Sequence, residues 1–283
     1  MSRGFESDIC SEEEVLLPYQ QQLDAYFDAA AAYWNHVYSR QDVNGAVYQE
    51  RHRRVLEFCD RLDLPLGSCI LEIGCGAGFT SVTLALRGCD VHAVDTVPAM
   101  LSFTRQHASE AGVGNQVRTL LADTHYLPFA NQSFRLVLAI GVIPWLPSAG
   151  PAIREMARVL APGGSLVVSA DHAWGLHRVL DPLTSPLTAP LRQRLRKILR
   201  RKASGARAVL SSRREIDSAL AAAGLHLASS TTLGFGPFTL LRRSLLPEAT
   251  GLKIHHRMQR LADRGIPVFR SAGGHYVVSA RKD

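Results

Sequence analysis

Short apolar runs alternate with segments of helical spacing through the middle of the chain. Five runs of this kind cover residues 69–73, 90–95, 116–123, 134–141 and 165–170. Because these runs are almost continuously apolar, they are typical of strands that are buried on both faces of a sheet. Strands that alternate with helices pair in parallel through right-handed crossovers. The pattern therefore predicts an α/β fold with a doubly wound, mostly parallel sheet.

The stretch before the first strand predicts helices instead. Residues 14–62 carry apolar side chains at helical spacing, with a polar break over residues 39–42. A second helix should run from about Val43 to Leu62 and end before Pro65, whose ring disfavours helical backbone in the residue before it. We therefore divide the chain into an N-terminal helical cap, residues 1–62, and a larger α/β domain, residues 63–283.

The alternation of strands and helices stops after Asp171. Residues 172–210 are rich in Arg, Leu and Pro, and we interpret them as a basic lid or substrate-covering insertion within the larger domain. A helix and a strand resume over residues 214–233. A further helix is predicted over residues 248–263, and a closing strand over about 274–280.

The basic part of this insertion predicts an amphipathic helix over residues 188–202. Its apolar residues recur at i, i+4, i+7 and i+8, which is one face of a helix. They are Leu191, Leu195, Ile198 and Leu199, and Lys or Arg occupies most of the other positions. Two interpretations stay open. Either the leucine face packs on the domain and the basic side chains are solvated, or the basic side chains contact an anionic membrane surface, an acidic carrier or an acidic substrate.

Composition indicates the class of the protein and the cellular compartment expected for it. The 283 residues are 46% hydrophobic and 20% charged, as in one or two ordinary globular domains. No apolar run approaches the ~20 residues of a membrane-spanning helix, and the polar, acidic N-terminus lacks a signal-peptide pattern. Five cysteines without a C-x-x-C pair disfavour a disulfide framework or a cysteine zinc site. We therefore expect a cytoplasmic protein with no bound metal, whose net charge of +7 permits anionic partners without choosing among them.

A glycine-rich turn follows the first predicted strand. Its glycines, Gly74, Gly76 and Gly78, can turn the backbone sharply and leave room for a ligand where a Cβ atom would stand. Asp95 lies 21 residues after Gly74, at the end of the second predicted strand. A carboxylate there can accept hydrogen bonds from a ribose diol. An NAD(P)-linked oxidoreductase shares this arrangement, but its G-x-G-x-x-G fingerprint has Gly or Ala where this chain has Phe79.

Four consecutive motifs separate these alternatives. ILEIGCGAG, AVDTVPAML, ADTHYLPFANQSFRLVLAIGVIPWL and MARVLAPGGSLVVS occur in this order over about residues 68–170. As a set they closely resemble the motifs of class I S-adenosylmethionine-dependent methyltransferases, and the small-molecule branch (ubiquinone/menaquinone-methyltransferase-like) most of all. The resemblance implies a Rossmann-like fold, S-adenosylmethionine as cofactor, and methyl transfer to an O, N or C atom of a small, largely apolar molecule.

The resemblance also assigns roles to individual residues. The amino-acid end of the cofactor would be faced by Glu72 and the backbone of Gly74, Cys75, Gly76, Ala77 and Gly78. Asp95 would hold the ribose hydroxyls, with Thr96 and Met100 beside the adenosine. Asp123 would bind the adenine amino group between Ala122 and His125, and Ile140 and Gly141 would lie near the methionine part. From the residues alone, Glu72 could instead be a surface carboxylate and Asp123 a helix cap.

The acceptor side of the predicted site is less defined. His172 and His177 follow the fifth predicted strand and are our candidate bases, although a methyl transfer needs a base only where the acceptor must lose a proton. Related enzymes often place an N-terminal helix over the cofactor, and here that helix would carry Tyr33 and Trp34. Trp145, just beyond the fourth strand, is a further candidate for covering the ligands. Tyr38 and Arg40, at the helix break, are possible contacts, and core packing stays an alternative for Trp34.

Other functions are disfavoured by the motifs. Where amino-group base methyltransferases commonly carry N/D-P-P-Y/F, this chain has IGVIPWLP, and it has no Pro-Cys nucleophile. A nucleic-acid substrate is therefore disfavoured, because basic charge alone is weak support for one. A non-catalytic cofactor-binding scaffold or regulator stays as an alternative, beside the NAD(P)-linked oxidoreductase.

Overall fold

Seven strands form one mixed sheet in the computed structural model, which describes residues 19–198, 208–241 and 243–283. In chain order they are β1 (Cys69–Ile73), β2 (Asp90–Asp95), β3 (Val117–Leu121), β4 (Phe134–Ala139), β5 (Leu160–Asp171), β6 (Leu225–Leu233) and β9 (His275–Lys282). Their spatial order is β3-β2-β1-β4-β5-β9-β6. Strands β1 to β5 are parallel, and β9 runs antiparallel between β5 and β6. The predicted doubly wound, mostly parallel sheet is confirmed.

The strand order reverses between β1 and β4, which are neighbours although β2 and β3 lie between them in the chain. In sheets of this kind, ligands bind outside the carboxyl ends of the strands at such a reversal. The short strands β7 (Thr239–Leu240) and β8 (Arg243–Ser244) form a separate hairpin, which the sequence pattern did not predict.

Helices cover both faces of the sheet. They are α1 (residues 19–29), α2 (Ala31–His36), α3 (Val43–Asp60), α4 (Phe79–Leu86), α5 (Pro98–Glu110), α6 (Ala149–Val159), α7 (Leu176–Leu180), α8 (Ala189–Ile198), α9 (Arg213–Ala222), α10 (Glu248–Asp263) and α11 (Pro267–Ser271). Local sequence explains several of the helix starts. Asp42 caps α3 by accepting from the Gly45 N–H, Pro98 opens α5, and Ser212 with Glu215 forms a capping box on α9.

The core lies in two layers, one on each side of the sheet. Successive strand residues point to opposite faces, so Leu71 packs in the layer under α6 and α9, while Ile70 packs in the layer under α3 and α4. Both residues are fully buried. Burial on both faces therefore explains the continuous apolar runs of the central strands β1 and β4. The prediction of burial on both faces is wrong for β3, which lies at the edge of the sheet and is largely exposed. None of the described helices is long and apolar enough to cross a membrane.

Two predictions about the helices are modified by the structure. The polar break is present, because α2 passes through a short 3-10 turn, Val37–Ser39, before α3 begins at Val43, but α3 ends at Asp60 rather than Leu62. The amphipathic helix is α8, and its side chains Leu191 and Leu195 are exposed instead of packed on the domain. Leu199 and the rest of that predicted helix lie outside the described residues.

Candidate functional site

A cavity opens at the carboxyl ends of the central strands, where the strand order reverses. Loops after β1, β2, β3 and β4 and the last residue of β5 line it on one side, and α1, α2 and α3 line it on the other, as its roof. Most of the residues predicted from the sequence line it, namely Trp34, Glu72, Gly74, Cys75, Gly76, Ala77, Asp95, Thr96, Met100, Ala122, Asp123, Ile140, Gly141 and Trp145. The structure thus brings together residues that are far apart in the chain.

The glycine-rich turn has backbone angles that favour glycine. Gly74 and Gly76 have φ angles of +63° and +55°, in the left-handed region that L side chains rarely adopt. A Cβ atom on Gly74 would lie 2.5 Å from Val142 Cγ2, whereas a Cβ atom on Gly76 would meet nothing within 4 Å. Gly74 is therefore needed for close packing of two loops, and Gly76 borders open space in the cavity.

Asp95 holds this turn in place. Its Oδ2 accepts a hydrogen bond from Gly76 N at 2.9 Å, and its Oδ1 accepts one from Val97 N at 3.0 Å. Burial raises the pKa of this carboxyl above its ordinary value, although the backbone N–H donors oppose the rise. Each carboxylate oxygen has a second lone pair, so Asp95 can position the turn and still accept from a ligand in the cavity.

Glu72 is a buried carboxyl at the end of β1, so the surface-carboxylate alternative is excluded. Its Oε2 accepts a hydrogen bond from the Ser81 hydroxyl on α4. Burial raises the pKa of Glu72 to about 7. A cationic ligand group beside this carboxyl would favour its ionised form, because an opposite charge stabilises the carboxylate.

Asp123 lies at the opposite end of the cavity, after β3. Its Oδ1 accepts from His125 N and lies 2.7 Å from His125 Nδ1. Burial alone would raise the pKa of Asp123, but the contacts with His125 lower it below the ordinary value. Asp123 therefore closes a short turn instead of capping an α-helix, and it still lines the cavity. His125 itself lies behind Asp123, outside the lining.

Arg51 is a lining residue that the sequence analysis missed. It lies on α3, only 7% of its surface is exposed, and its guanidinium sits 4.7 Å from the centre of the Tyr48 ring. A Cβ atom on Gly141 would lie 3.1 Å from Arg51 Nη1, so this cation faces the loop after β4. The spacing of apolar residues in the sequence could have identified Arg51. Val43, Val47, Arg51 and Val55 recur every fourth residue, which places this arginine on the apolar face of α3.

Helix α1 forms part of the roof. Leu23 is buried, the Tyr19 hydroxyl donates to Trp145 O at 3.1 Å, and the ring of Phe27 packs edge-on against Trp145 at 4.9 Å. Gln20 Nε2 lies 3.3 Å from Thr96 Oγ1. The N-terminal helices therefore cover the cavity, and Trp34 and Trp145 lie on its wall.

The acceptor end of the cavity carries Tyr38, Tyr48 and Asp171, beside apolar side chains of the loop after β4. Asp171 Oδ2 lies 3.1 Å from Arg178 Nη2, and its Oδ1 lies 3.1 Å from His275 Nδ1. Burial would raise the pKa of Asp171, but His275 and the charge of Arg178 outweigh burial and lower it to about 2. Burial raises the pKa of Tyr48 to about 12. Asp171 is thus ionised and Tyr48 neutral near pH 7.

Neither candidate base lies along this lining. His172 is buried, with Nδ1 3.0 Å from Gly273 O, and burial lowers its pKa. His177 packs against Gly274, and burial lowers its pKa to about 3. Both side chains lie behind the wall that Asp171 forms. The geometry therefore does not position either histidine to contact a molecule in the cavity.

Three other predicted residues, Tyr33, Arg40 and Gly78, also stand outside the lining. Tyr33 is exposed on the outer side of α2, where the Arg40 guanidinium lies 5.5 Å from its ring centre. Gly78 caps α4 and packs against Thr104, so it shapes the turn without facing the cavity. None of the described residues between 172 and 210 lines the cavity either, so their described part does not form a cover over it.

Polar atoms in the walls of the cavity lack partners. Within the described ranges, Trp34 Nε1, Arg51 Nε and Thr124 Oγ1 are buried and make no hydrogen bond. Buried polar groups are nearly always paired, so these three atoms are available to a polar ligand in the cavity. Two carboxylates, a buried cation and a glycine turn thus give the cavity groups that can bind hydroxyl, amino and anionic groups of a ligand.

Comparisons with known proteins agree with this geometry. Residues 71–168 match the family model described as a methyltransferase domain. The chain is 34% identical over 118 residues to methyltransferase GfsG of Streptomyces halstedii, covering 41% of this chain and 42% of that protein. It is 36% identical over 103 residues to a ubiquinone biosynthesis O-methyltransferase of Azorhizobium caulinodans, covering 36% of this chain and 40% of that protein. The matched segment thus spans less than half the length of either relative.

A solved structure extends the likeness in fold beyond this segment. Magnesium protoporphyrin IX methyltransferase from Synechocystis PCC 6803, solved with bound SAH, superposes with a TM-score of 0.63 at 16% sequence identity. The superposition covers 93% of this chain and 100% of that chain. The resemblance drawn from the four motifs is confirmed, and so is the Rossmann-like fold.

Proposed function

We propose that this chain, whose residues 71–168 match the model of a methyltransferase domain, transfers a methyl group from S-adenosylmethionine to a small, largely apolar molecule. The acceptor atom is an oxygen, a nitrogen or a carbon. One observation carries the proposal. The glycine turn, Asp95, Asp123 and the buried cation Arg51 converge on a single cavity at the reversal point of the sheet.

The chemistry of each wall fits one part of the donor. Asp95 accepts from the ribose hydroxyls, and Asp123 accepts from the adenine amino group. Glu72 faces the ammonium group of the methionine part. Arg51 pairs with its carboxylate, because this buried guanidinium makes no ion pair within 4 Å in the described part of the chain, although the charge of Asp171 also stabilises it. When bound, S-adenosylmethionine supplies a methyl group on a sulfonium centre, which loses its charge as the methyl group leaves.

The protein positions the donor and the acceptor and excludes water from them. Trp145 and the α1 side chain Phe27 close the roof, so that donor and acceptor are held together away from solvent. Asp171 is ionised, and we assign it to orient a hydroxyl or amino group of the acceptor by accepting a hydrogen bond from it. With a pKa of about 2 it is too weak a base to take the acceptor's proton near pH 7.

Phe79 argues against an NAD(P)-linked oxidoreductase. Its ring lies 5.0 Å from the Tyr38 ring and 4.9 Å from the His107 ring. It therefore fills the space at the start of α4, where a dinucleotide fold uses a small residue for close packing under the pyrophosphate. A cytoplasmic setting is part of the proposal, supported by Cys59, Cys69, Cys75 and Cys89, which are free thiols.

Methyl transfer is tested with S-adenosylmethionine carrying an isotopically labelled methyl group. The protein is incubated with a metabolite extract, and labelled products are found by mass spectrometry. We expect a labelled apolar metabolite with the wild-type protein and none with Arg51→Gln. A protein that binds the donor but labels nothing in extracts of its own host would point instead to the non-catalytic scaffold.

A further inference from the structure

Exposed leucine side chains collect on one side of the molecule, next to the acceptor end of the cavity. We call the following eight residues, each at least 40% exposed, the leucine platform: Leu180, Leu183, Leu187, Leu191, Leu195, Leu240, Leu241 and Leu245. A single exposed leucine is ordinary on a protein surface. A contiguous group of them marks an interaction site.

Asp181 joins the two parts of the leucine platform. This buried carboxylate accepts from Leu183 N at 2.9 Å and from Leu241 N at 3.2 Å through the same oxygen. Its other oxygen accepts from the Thr239 hydroxyl at 3.1 Å. The β7–β8 hairpin is thereby held against the segment between α7 and α8, so Leu183 and Leu241 are neighbours.

Arg192 fixes the start of α8 to the same segment. Its Nη1 donates to Pro182 O at 2.8 Å and to Ser185 O at 2.7 Å. Arg192 thus donates these hydrogen bonds within the protein, whereas Leu187 and Leu191, on either side of it in the chain, are exposed. The leucine platform is therefore part of the folded structure, held by a buried carboxylate and by an arginine that spans the turn.

The charge around the leucine platform is positive. Arg194 and Arg243 are exposed beside the leucines. Over residues 178–215 the sequence has eleven Lys or Arg residues, against only Asp181 and Glu215. Exposed leucines with exposed arginines beside them fit the boundary between the acyl chains and the phosphates of an anionic bilayer. An acidic protein partner would also complement the charge, and the test below distinguishes it from a bilayer.

We propose that the leucine platform docks on an anionic lipid bilayer. The leucines enter the boundary between headgroups and acyl chains, and the surrounding arginines contact lipid phosphates. Helix α7 links this surface to the cavity, since Arg178 Nη2 lies 3.1 Å from Asp171 Oδ2 and Asp171 lines the acceptor end. Together with the proposed methyl transfer, this membrane contact would bring the protein to apolar acceptors dissolved in the membrane, whereas the membrane contact itself does not rest on that proposal.

The test measures cosedimentation of the full chain with two kinds of vesicle, one of phosphatidylcholine and the other containing phosphatidylglycerol. We expect binding to the anionic vesicles that weakens as the ionic strength rises. Leu187→Ser combined with Leu191→Ser should lower the bound fraction about tenfold, because two leucines no longer leave water. The matched control is Leu86→Ser, at a helical leucine whose exposure of 61% is close to the 60% of Leu191. This control should bind like the wild type.

Each outcome decides the proposal. Equal loss in the control variant, or no binding to anionic vesicles at low salt, overturns it. Salt-sensitive binding that the double variant retains also overturns the role of the leucines. If an acidic acyl-carrier protein binds the wild type and not the double variant, while vesicles do not bind, the occupant is a protein. Unchanged S-adenosylhomocysteine affinity in the double variant shows that it is folded, and separates failure of docking from failure of the proposed methyl transfer.

Discussion

Asp95 positions the glycine turn and also faces the cavity, and its removal tests both roles. We predict that Asp95→Ala weakens S-adenosylmethionine binding by about 1.5–3 kcal/mol, because charge-assisted hydrogen bonds to the ribose are lost. Calorimetric titration measures the affinity, and thermal melting checks the fold. Asp90→Ala, at the other end of the same strand, should leave the affinity unchanged. An unaltered affinity in folded Asp95→Ala would falsify the ribose assignment.

A substitution at Gly76 tests whether this glycine leaves room for the donor, and the same substitution at Gly112 serves as its control. Gly76→Val and Gly112→Val both force a branched side chain into positive φ, and a Cβ atom meets nothing within 4 Å at either position. Both variants should therefore lose a similar stability, on the order of 1–3 kcal/mol. Only Gly76→Val should lose donor binding, because its side chain enters the cavity. If the two variants bind the donor equally well, as measured by titration calorimetry, the space beside Gly76 does not hold the ligand.

Glu72 should make the stability of the ligand-free protein depend on pH. Its pKa is raised from 4.5 to about 7, so the folded state holds a proton that the unfolded state releases between these values. Stability from this group is then present below pH 4.5 and is lost as the pH rises to 7, by ~3 kcal/mol at most. We expect denaturant titrations to show that Glu72→Gln gains stability over the wild type across this interval. A constant difference between the two proteins from pH 4.5 to 7 would contradict the raised pKa.

At the scale of elements, the N-terminal helices cover the cavity and form no part of the sheet. We predict that deleting residues 1–40 abolishes methyl transfer but leaves the sheet folded, because Leu23, Phe27 and Trp34 close the cavity while α3 and its Arg51 are retained. Hydrogen exchange should still protect β1 and β4, which lie in the centre of the sheet. If the truncated protein turns over at the normal rate, these helices do not seal the site.

The helices and strands also show how much of the fold could be predicted from the sequence. Continuous apolar runs predicted the ends of β1, β2 and β4 to within two residues, because strands buried on both faces have apolar side chains at consecutive positions. Spacing and motif together located Asp95 and Asp123. The packing of α1 on Trp145 depends on contacts between distant parts of the chain, which no local pattern encodes. For the same reason His172 and His177, though placed correctly after β5, could not be seen to lie behind Asp171.

At the scale of the whole molecule, one face carries the cavity that we propose for the donor, and another carries the leucine platform with its exposed arginines. The sequence indicated the basic character of residues 188–202, but it did not predict the β7–β8 hairpin that extends the leucine platform. Short strands with a two-residue ladder have too few residues to show alternation. The two faces meet at Asp171, whose carboxylate lines the cavity and pairs with Arg178 on α7.

Calorimetric titration of the full chain with S-adenosylhomocysteine tests the central claim most directly. The donor site described above predicts saturable binding of one molecule per chain, no comparable binding of NADH, and an affinity lowered at least about tenfold in Arg51→Gln by loss of a charge-assisted pair. A folded wild-type protein that gives no saturable binding of S-adenosylhomocysteine, or that binds NADH more tightly, would contradict the claim.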